Sequence, residues 1–211
     1  MNKIVTPLPK PVFRDVATTI LPIEFSGRVV HLEARAYEDA VNAYQAMALI
    51  HRLPNGNGKP LPVVRVHSGC MTGDIFRSQR CDCHGQLQKA LGSITESEYG
   101  IIVYLPHHEG RGIGLVNKIK AYAEQDRGLD TVDANLSIGS PIDGRDYEFA
   151  ANILKDLDCR QVRLITNNPA KVMALRSFGV EVVEQLETVV SPSDYNARYL
   201  KTKKDRMDHK L

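Results

Sequence analysis

Short apolar strands and helix-like segments alternate along the chain after Cys70. The predicted helices cover residues 84–97, 114–126, 145–158 and 169–178, and the apolar segments between them cover residues 101–105, 162–166 and 180–183. Apolar residues of the third helix recur on one stripe, at Phe149, Ile153, Leu154 and Leu157. Such a stripe is expected where a helix packs on a sheet. Because strands separated by helices are usually joined in parallel, this alternation predicts an α/β fold.

The part of the chain before Cys70 is rich in predicted strands. These cover residues 29–37, 44–53 and 61–69, with the turn sequence PNGNGKP between the last two. Residues 1–28 contain four prolines and little periodicity, so we expect an irregular N-terminal arm. One domain is expected over residues 29–193, and a polar C-terminal tail, as a surface helix or frayed, over residues 194–211. The fold class is therefore α/β (α+β), a mixed sheet flanked by helices with a β-rich N-terminal part.

Composition limits the classes of function. The 211 residues are 43% hydrophobic with a formal net charge of +2, which suits a globular protein and does not indicate nucleic-acid binding. No run of about 18 apolar residues predicts a membrane span, and the N-terminus lacks the layout of a signal peptide. We therefore expect a cytoplasmic protein with neither nucleic acid nor membrane as a partner. In that reducing compartment, cysteines act as ligands, nucleophiles or core residues rather than in disulfides.

Three of the four cysteines form a C-x10-C-x-C array, at Cys70, Cys81 and Cys83. Soft thiolate ligands suit zinc, and three of them leave a fourth coordination position open, as in catalytic zinc sites. Two alternatives stay open at this point. The thiols are unrelated core residues, or His67 or His84 completes a structural zinc site. The isolated Cys159 is expected in the core.

Polar, glycine-containing loops follow the predicted strands. Residues 109–114 (EGRGIG) join a strand to a helix, where glycines let the backbone approach a ligand and the helix N-terminus favours phosphate. Residues 166–171 join another strand to a helix and place Lys171 in its first turn, where a lysine opposes the helix dipole and so indicates an anion. A tight turn and a solvated lysine are the plainer alternatives, and Asp143 and Arg145 also suit a helix cap with charged surface residues. Together the loops predict an anion pocket beside a metal.

These residues resemble the GTP cyclohydrolase II family, which opens riboflavin biosynthesis. The similarity runs from about Val29 to about Glu184, and its main motifs are R-V-H-S at 65–68, C-x-T-G-D at 70–74, R-C-D-C at 80–83, E-G-R-G-I-G-L at 109–115 and T-N-N-P at 166–169. The resemblance implies one catalytic domain that uses zinc to hydrolyse the imidazole ring of GTP at C8. Formate and pyrophosphate would be released, leaving 2,5-diamino-6-(5-phosphoribosylamino)pyrimidin-4-one.

The resemblance also implies roles for individual residues. One zinc ion per chain would be held by Cys70, Cys81 and Cys83. Tyr122 would lie near the ring-opening centre, and Arg145 would attack the α-phosphorus with Asp143 as proton acceptor. The nucleotide would be bound by Arg65, Val66, His67, Ser68, Gly69, Gln86, Glu109, Gly110, Arg111, Thr131, Thr166 and Lys171. Family members use magnesium on the triphosphate and are homodimers, so we expect both here.

Two departures from the family pattern concern recognition of the base. The family reads R-V-H-S-E before the first cysteine, whereas this chain has Gly69 in place of the glutamate. The family reads R-Q-E-G-R in the next loop, whereas this chain has Pro106-His107-His108 before Glu109. Losing a carboxylate and an amide removes hydrogen-bonding groups, so altered base recognition is expected unless neighbouring groups or waters compensate. The alternatives are a paralogue with another nucleotide substrate or product, and a non-catalytic zinc-containing nucleotide-binding module, against which the intact catalytic residues argue.

Overall fold

The computed structural model describes residues 13–53 and 60–188, together with Thr202 and Arg206. Within these residues a seven-stranded sheet is flanked by helices. The strands are β1 (Phe13–Phe25), β2 (Arg28–Asp39), β3 (Gln45–Arg52), β4 (Val63–Ser68), β5 (Tyr99–Leu105), β6 (Gln161–Ile165) and β7 (Glu181–Leu186). The helices are α1 (Cys83–Glu96), α2 (Gly114–Asp126), α3 (Thr131–Ser137), α4 (Glu148–Asp156) and α5 (Pro169–Ser177). A π-helical turn (Met71–Ile75) follows β4, and a 3-10 turn (Pro106–Arg111) follows β5.

The strand order across the sheet is β1-β2-β3-β5-β4-β6-β7. Neighbours from β1 through β3 to β5 are antiparallel, whereas β4 is parallel to β5 and β6, and β6 is parallel to β7. The predicted fold class, a mixed sheet flanked by helices with a β-rich N-terminal part, is confirmed. Ser68 at the end of β4 lies beside Leu105 at the end of β5. The loops that follow these parallel strands therefore meet at one edge of the sheet, where ligands bind in open α/β sheets.

Alternate residues of the central strand β5 face opposite sides of the sheet. Ile101 and Val103 belong to one buried cluster with residues of α4 and α5, and Ile102 belongs to a second cluster with residues of α1. The predicted stripe on α4 is buried in the first cluster through Phe149 and Ile153. Burying each of these large apolar side chains stabilises the fold by about 2 kcal/mol. The packing on both faces holds the strand ends that carry the site.

Residues 13–25 form strand β1, so the prediction of an irregular arm over residues 1–28 is wrong for this part. The strand pairs with β2 along its length, and Ser26 and Gly27 close the hairpin with φ of 50° and 73°, as a two-residue type I′ turn requires. Strand β1 is an edge strand with mostly exposed side chains, so its sequence shows little alternation. Pro22 is tolerated because an edge strand has no partner on one side.

Helix α3 is short, and its sequence pattern did not predict it. It is capped by Asp130, whose carboxylate accepts hydrogen bonds from the backbone N–H groups of Val132 (2.8 Å) and Asp133 (2.9 Å). Residues 54–59 of the predicted turn and nearly all of the predicted tail lie outside the described residues. In that tail, Arg206 lies in a helix and pairs with Asp130 at 2.6 Å. Within the described part of the chain, no helix is long and apolar enough to cross a bilayer.

Candidate active site

One pocket opens at the edge of the sheet where β4, β5 and β6 end. Most of the residues predicted for the site line this pocket, namely Arg65, His67, Ser68, Gly69, Cys70, Cys81, Cys83, Gln86, Gly110, Arg111, Tyr122, Thr131, Arg145, Thr166 and Lys171. Three predicted residues do not line it: Val66, Glu109 and Asp143. The side chain of Val66 is buried in the core, and the other two contact residues that do line the pocket.

One end of the pocket is lined by the thiols of Cys70, Cys81 and Cys83 and is called the thiol end. Their Sγ atoms all lie within 4.8 Å of one another, and those of Cys70 and Cys81 are 3.7 Å apart. Three sulfurs bound about 2.3 Å from one tetrahedral metal ion would be about 3.8 Å apart, so the donor set fits a soft metal ion. Among the described residues this group contains no histidine, and His67 Nε2 instead lies 3.2 Å from the Asp74 carboxylate. A histidine-completed site therefore receives no support.

Glycine at position 73 makes the close approach of the thiols possible. A Cβ atom there would lie 2.8 Å from Cys81 Sγ and 3.0 Å from Cys70 Sγ. The Gly73 N–H also donates to Cys70 Sγ at 3.3 Å. By contrast, Cys159 lies in the core beside the Tyr99 hydroxyl, with the sulfur and oxygen 3.1 Å apart. Three of the four cysteines therefore form the cluster, and Cys159 does not belong to it.

Lysine 118 supplies positive charge behind the thiols. Its Nζ lies 3.0 Å from Cys70 Sγ and 2.6 Å from Glu109 Oε1, and Glu109 Oε2 accepts from the Met71 N–H at 2.6 Å. Hydrogen bonds from Cys81 and the third thiol lower the pKa of the Cys70 thiol, and Lys118 acts in the same direction. The hydrogen bond between Cys70 and Cys81 raises the pKa of the Cys81 thiol to about 11. The thiolate of Cys70 is thus stabilised by its neighbours. Glu109 contacts Lys118 and does not itself line the pocket.

Arg145, Ser68 and His108 line the other end of the pocket, and Asp143 contacts Arg145 there without lining the pocket; these four residues are called the arginine end. Arg145 lies in the loop before α4, which begins at Glu148 rather than at residue 145 as predicted. Its Nε donates to Asp143 Oδ1 at 2.8 Å, its Nη2 also binds that carboxylate, and its Nη1 lies 3.3 Å from Ser68 Oγ. Burial opposes the charge of Asp143, but the hydrogen bonds from Arg145 lower the pKa of that carboxyl overall. The guanidinium is therefore held in one orientation at the pocket wall.

The loops that carry Arg111 and Arg145 are in direct contact. Gly112 has a φ of 87°, and a Cβ atom at this position would lie 2.9 Å from the Gly144 carbonyl carbon. The Gly144 N–H donates to the Arg111 carbonyl oxygen at 2.9 Å. The glycines in these two motifs therefore serve a close backbone approach. This contact places the Asp143–Arg145 pair beside the 3-10 turn after β5.

Two buried cations line the floor of the pocket. Arg65, 5% exposed, donates to the Ile165 carbonyl oxygen at 3.1 Å and to Gln86 Oε1 at 2.5 Å. Lys171, 4% exposed, donates to the Val66 carbonyl oxygen at 2.7 Å, so it is not a solvated lysine. Val66 contributes its backbone here rather than its side chain. These positive charges support binding of an anion inside the pocket.

Tyr122 on α2 lines the same pocket as the three thiols. Its ring lies between two cations, with the Arg80 guanidinium 5.0 Å and the Lys118 Nζ 5.7 Å from the ring centroid. Burial raises the pKa of the Tyr122 phenol, so the hydroxyl keeps its proton at neutral pH. A protonated phenol in this place has a hydrogen that it can donate to a bound molecule.

Sequence reasoning missed several residues that line the pocket: His108, Ile113, Lys118, Ala121, Gln125, Asn135, Asn167 and Asn168. Lys118 falls on a helix that carries many polar residues, and only the topology shows that it is buried. The sequence marks His108 only as a departure from the family motif.

His107 does not line the pocket, and its ring stacks on Tyr44, with ring centroids 4.2 Å apart.

The two departures from the family motif are packed against each other. A Cβ atom at Gly69 would lie 3.0 Å from both the Leu105 carbonyl oxygen and the Pro106 Cα. The Gly69 N–H donates to that same Leu105 oxygen at 2.9 Å. The start of the turn at Pro106 therefore occupies the space that a side chain at position 69 would need.

Comparison with known proteins identifies the relatives of this chain. The family model described as GTP cyclohydrolase II matches residues 14–187. The riboflavin biosynthesis protein RibBA of Aquifex aeolicus is 54% identical over 147 residues, which are 70% of this chain and 36% of that protein. RibBA of Synechocystis is 44% identical over 188 residues (89% of this chain, 34% of that protein), and RibBA of Phocaeicola vulgatus is 53% identical over 154 residues (73% and 38%). This chain thus spans about a third of the length of these relatives. It belongs to the GTP cyclohydrolase II family.

Proposed function

We propose that this chain is a hydrolase of the GTP cyclohydrolase II type, acting in riboflavin biosynthesis. It opens the imidazole ring of GTP, releases formate and pyrophosphate, and yields the diaminopyrimidinone ribosyl phosphate. The observation that carries this proposal is that a three-thiol cluster and Arg145, which is hydrogen-bonded to Asp143, line a single pocket. One nucleotide can then present its base to the thiol end and its phosphates to the arginine end.

The proposed zinc ion would be held by Cys70, Cys81 and Cys83. When bound, zinc supplies Lewis acidity and lowers the pKa of water toward neutrality, so that hydroxide is available without a strong base. Lys118 offsets the negative charge of the thiolates, so the net negative charge of the buried cluster is smaller. Tyr122 closes one side of the pocket near the thiols, and its hydroxyl can donate a proton to a ring nitrogen as the ring opens.

The arginine end is proposed to act on the α-phosphorus. Attack by Arg145, with Asp143 accepting its proton, would expel pyrophosphate and leave the nucleotidyl group on Arg145, from which water would release it as the monophosphate. This role is supported by the hydrogen bonds from Nε and Nη2 of Arg145 to the Asp143 carboxylate. The lowered pKa of Asp143 keeps this carboxyl ionised and able to accept a hydrogen bond at neutral pH. Lys171 adds a second positive charge for the phosphates.

The remaining site residues are proposed to bind the nucleotide. This group comprises Arg65, Val66, His67, Ser68, Gly69, Gln86, Glu109, Gly110, Arg111, Thr131, Thr166 and Lys171. Val66 would act through its carbonyl, which already holds Lys171, and Glu109 would act through Lys118. Magnesium on the triphosphate, a homodimeric assembly and a cytoplasmic location belong to the same proposal.

A second candidate is a paralogue that takes another nucleotide. Gly69 provides no carboxylate for the N1–H and N2–H donors of guanine, and the turn at Pro106 fills the adjacent space. A pocket of this kind would discriminate less strongly for guanine, because a missing charge-assisted contact costs about 1.5–3 kcal/mol.

A substrate panel tests the proposal. Purified, zinc-loaded protein is incubated with GTP, ATP, ITP and XTP, and the products are identified by mass and by absorbance. The proposed function predicts formate, pyrophosphate and the pyrimidine product from GTP. Turnover of another nucleotide in preference to GTP would favour the paralogue, and no turnover of any nucleotide would leave a non-catalytic binding module.

A further inference from the structure

His108 lies behind the arginine end of the pocket in a closely packed environment. Its side chain is among the least exposed in the described part of the chain, at 2%. The ring meets Tyr147 edge-on, with centroids 5.2 Å apart and an interplanar angle of 90°. Nε2 lies 2.8 Å from the Asp146 carbonyl oxygen, and Nδ1 lies 3.2 Å from Ser68 Oγ. Both ring nitrogens are therefore engaged.

These two contacts determine where the hydrogens lie. A carbonyl oxygen can only accept, so Nε2 of His108 carries the hydrogen that it donates to Asp146. Burial, together with the positive charges of His107 and Arg145, lowers the pKa of His108 to about 3. The ring is thus neutral, and its Nδ1 has a lone pair with no hydrogen. Ser68 must then donate its hydroxyl hydrogen to Nδ1.

A hydroxyl whose hydrogen is committed presents only lone pairs to its other neighbours. Arg145 Nη1 lies 3.3 Å from Ser68 Oγ and can only donate. The contacts therefore form one directed chain, in which Arg145 donates to Ser68, Ser68 donates to His108, and His108 donates to the Asp146 carbonyl. No link in this chain can reverse while His108 stays neutral.

We propose that His108 is a positioning residue that fixes the hydroxyl of Ser68 and, through it, the orientation of the Arg145 guanidinium. This inference rests on the proposed role of Arg145 at the α-phosphorus. Asp143 holds two nitrogens of the guanidinium, and Ser68 holds the third. The bidentate contact with Asp143 orients the plane of the group, and the contact of Nη1 with Ser68 further restrains its rotation about the carboxylate.

The turn that carries His108 is itself fixed. The backbone carbonyl of His108 accepts from the Gly112 N–H at 3.1 Å. Pro106, two residues earlier, packs on Gly69, where no side chain intervenes. The 3-10 turn after β5 therefore places His108 beside Ser68, and both departures from the family motif contribute to this packing.

A double-mutant cycle tests the proposal. Steady-state kcat and KM for pyrophosphate release from GTP are measured for the wild type, His108→Phe, Ser68→Ala and the double variant. His108→Phe keeps the packed ring and removes both hydrogen bonds, so we expect kcat to fall about tenfold with KM within about twofold. His108→Asn places an amide oxygen where Nδ1 was and should restore most of kcat. The double variant should be no slower than the slower single variant.

His107→Phe is the matched control, because it keeps an aromatic ring edge-on against His108, with centroids 4.5 Å apart in the wild type, and leaves the His108–Ser68 hydrogen bond in place. It should leave kcat for pyrophosphate release within about twofold of the wild type. Additive losses in the cycle, or an Asn variant as slow as the Phe variant, would show that His108 acts only as core packing. If the wild type itself does not hydrolyse GTP while its zinc content is complete, the proposed function fails instead.

Nitrogen-15 NMR of the histidine rings gives a readout that does not depend on turnover. The proposal predicts a neutral His108 ring with its hydrogen on Nε2 at about pH 7, unchanged at about pH 5. Assignment uses the signal that disappears in His108→Asn or, if that variant does not fold, in His108→Phe. A ring with its hydrogen on Nδ1, or a charged ring at neutral pH, would overturn the directed chain.

Discussion

At the thiol end of the pocket, backbone packing brings the reactive atoms together, whereas at the arginine end a chain of side-chain hydrogen bonds does so. The absence of a side chain at Gly73 allows Cys70 and Cys81 to approach within 3.7 Å. Arg145 is instead oriented by Asp143 and Ser68, whose own orientation depends on groups behind them. The first end is a cluster of soft donors, and the second is a positive group held by oxygen acceptors.

This difference indicates how each end will respond to change. A three-ligand cluster loses its metal when one ligand is lost, because two thiolates bind far more weakly than three. A guanidinium with several anchors loses orientation by degrees as anchors are removed. Under the proposed function the two ends act on different bonds, so formate reports the thiol end and pyrophosphate reports the arginine end.

Cys81→Ser should give the largest effect and should be confined to the thiol end. We expect loss of bound zinc and a fall in formate release on the order of 10³-fold or more, because the water is then no longer activated. Metal content is measured by mass spectrometry, and formate by a coupled assay.

Cys159→Ser is the matched cysteine control, since this thiol lies in the core beside Tyr99. It should keep one zinc per chain and nearly full formate release. Zinc loss in Cys159→Ser, or a metal-free preparation with full activity, would contradict the assignment of the three ligands.

Arg145→Ala should be the counterpart at the other end. Pyrophosphate release should be abolished, because the group proposed to attack the α-phosphorus is gone. Zinc content should stay complete, because the proposed ligands are Cys70, Cys81 and Cys83. Arg145→Lys, which keeps the charge but loses the fork, should recover little. A variant that releases pyrophosphate at the wild-type rate would remove Arg145 from the mechanism.

The buried His108 should make the folded chain less stable in acid. The pKa of His108 is lowered from 6.5 to about 3 in the folded chain, beside His107, Arg145 and Lys171. The unfolded chain then binds the proton more tightly, so stability falls as pH drops through 6.5 toward 3. Between about pH 7 and about pH 5 this single group should cost about 2 kcal/mol of unfolding free energy.

Urea unfolding of the wild type and of His108→Asn at these two pH values measures the cost. The wild type should lose about 2 kcal/mol more than the variant on acidification. Histidines that do not contact residue 108 titrate in both proteins and cancel in the difference. Equal losses would mean that His108 is not held neutral.

Gly69→Ala should give the smallest effect, at the junction between the two ends. Its new methyl group would press on Leu105 and Pro106 at 3.0 Å, so we expect about 1 kcal/mol of destabilisation by overpacking. Gly92→Ala on α1 is the matched control, because its Cβ would make an ordinary 3.6 Å contact with Phe25 and alanine favours the helix. Thermal unfolding of both variants should show opposite shifts. A stabilised Gly69→Ala would mean that the turn is not packed against this glycine.

Sequence patterns predicted the central part of the fold because its elements bury regular apolar faces. The stripe on α4 follows directly from hydrophobic periodicity. Strand β1 could not be predicted in this way, because an edge strand with exposed side chains carries little alternation. Helix α3 is too short for a periodic signal, and its start is visible only through the Asp130 cap.

The site was predictable where spacing and chemistry coincide, as in the cysteine array. The resemblance supplied the remaining candidates, including Arg145 and Lys171, and the structure brings both to the same pocket. Lys118 and His108 could not be assigned in advance. Their importance depends on burial and on hydrogen-bond partners from distant segments, namely Cys70 and Ser68.

The most direct test of the two-ended pocket is metal removal with both products counted in one sample. Zinc-free protein, prepared with a chelator and checked for metal, is incubated with GTP, and formate and pyrophosphate are quantified against the zinc-loaded protein. If the two ends act on different bonds, formate release by the zinc-free protein should fall on the order of 10³-fold, while a measurable rate of pyrophosphate release remains. Re-addition of zinc should restore formate release. Parallel loss of both products, or formate release that does not depend on the metal, would contradict this division between the two ends.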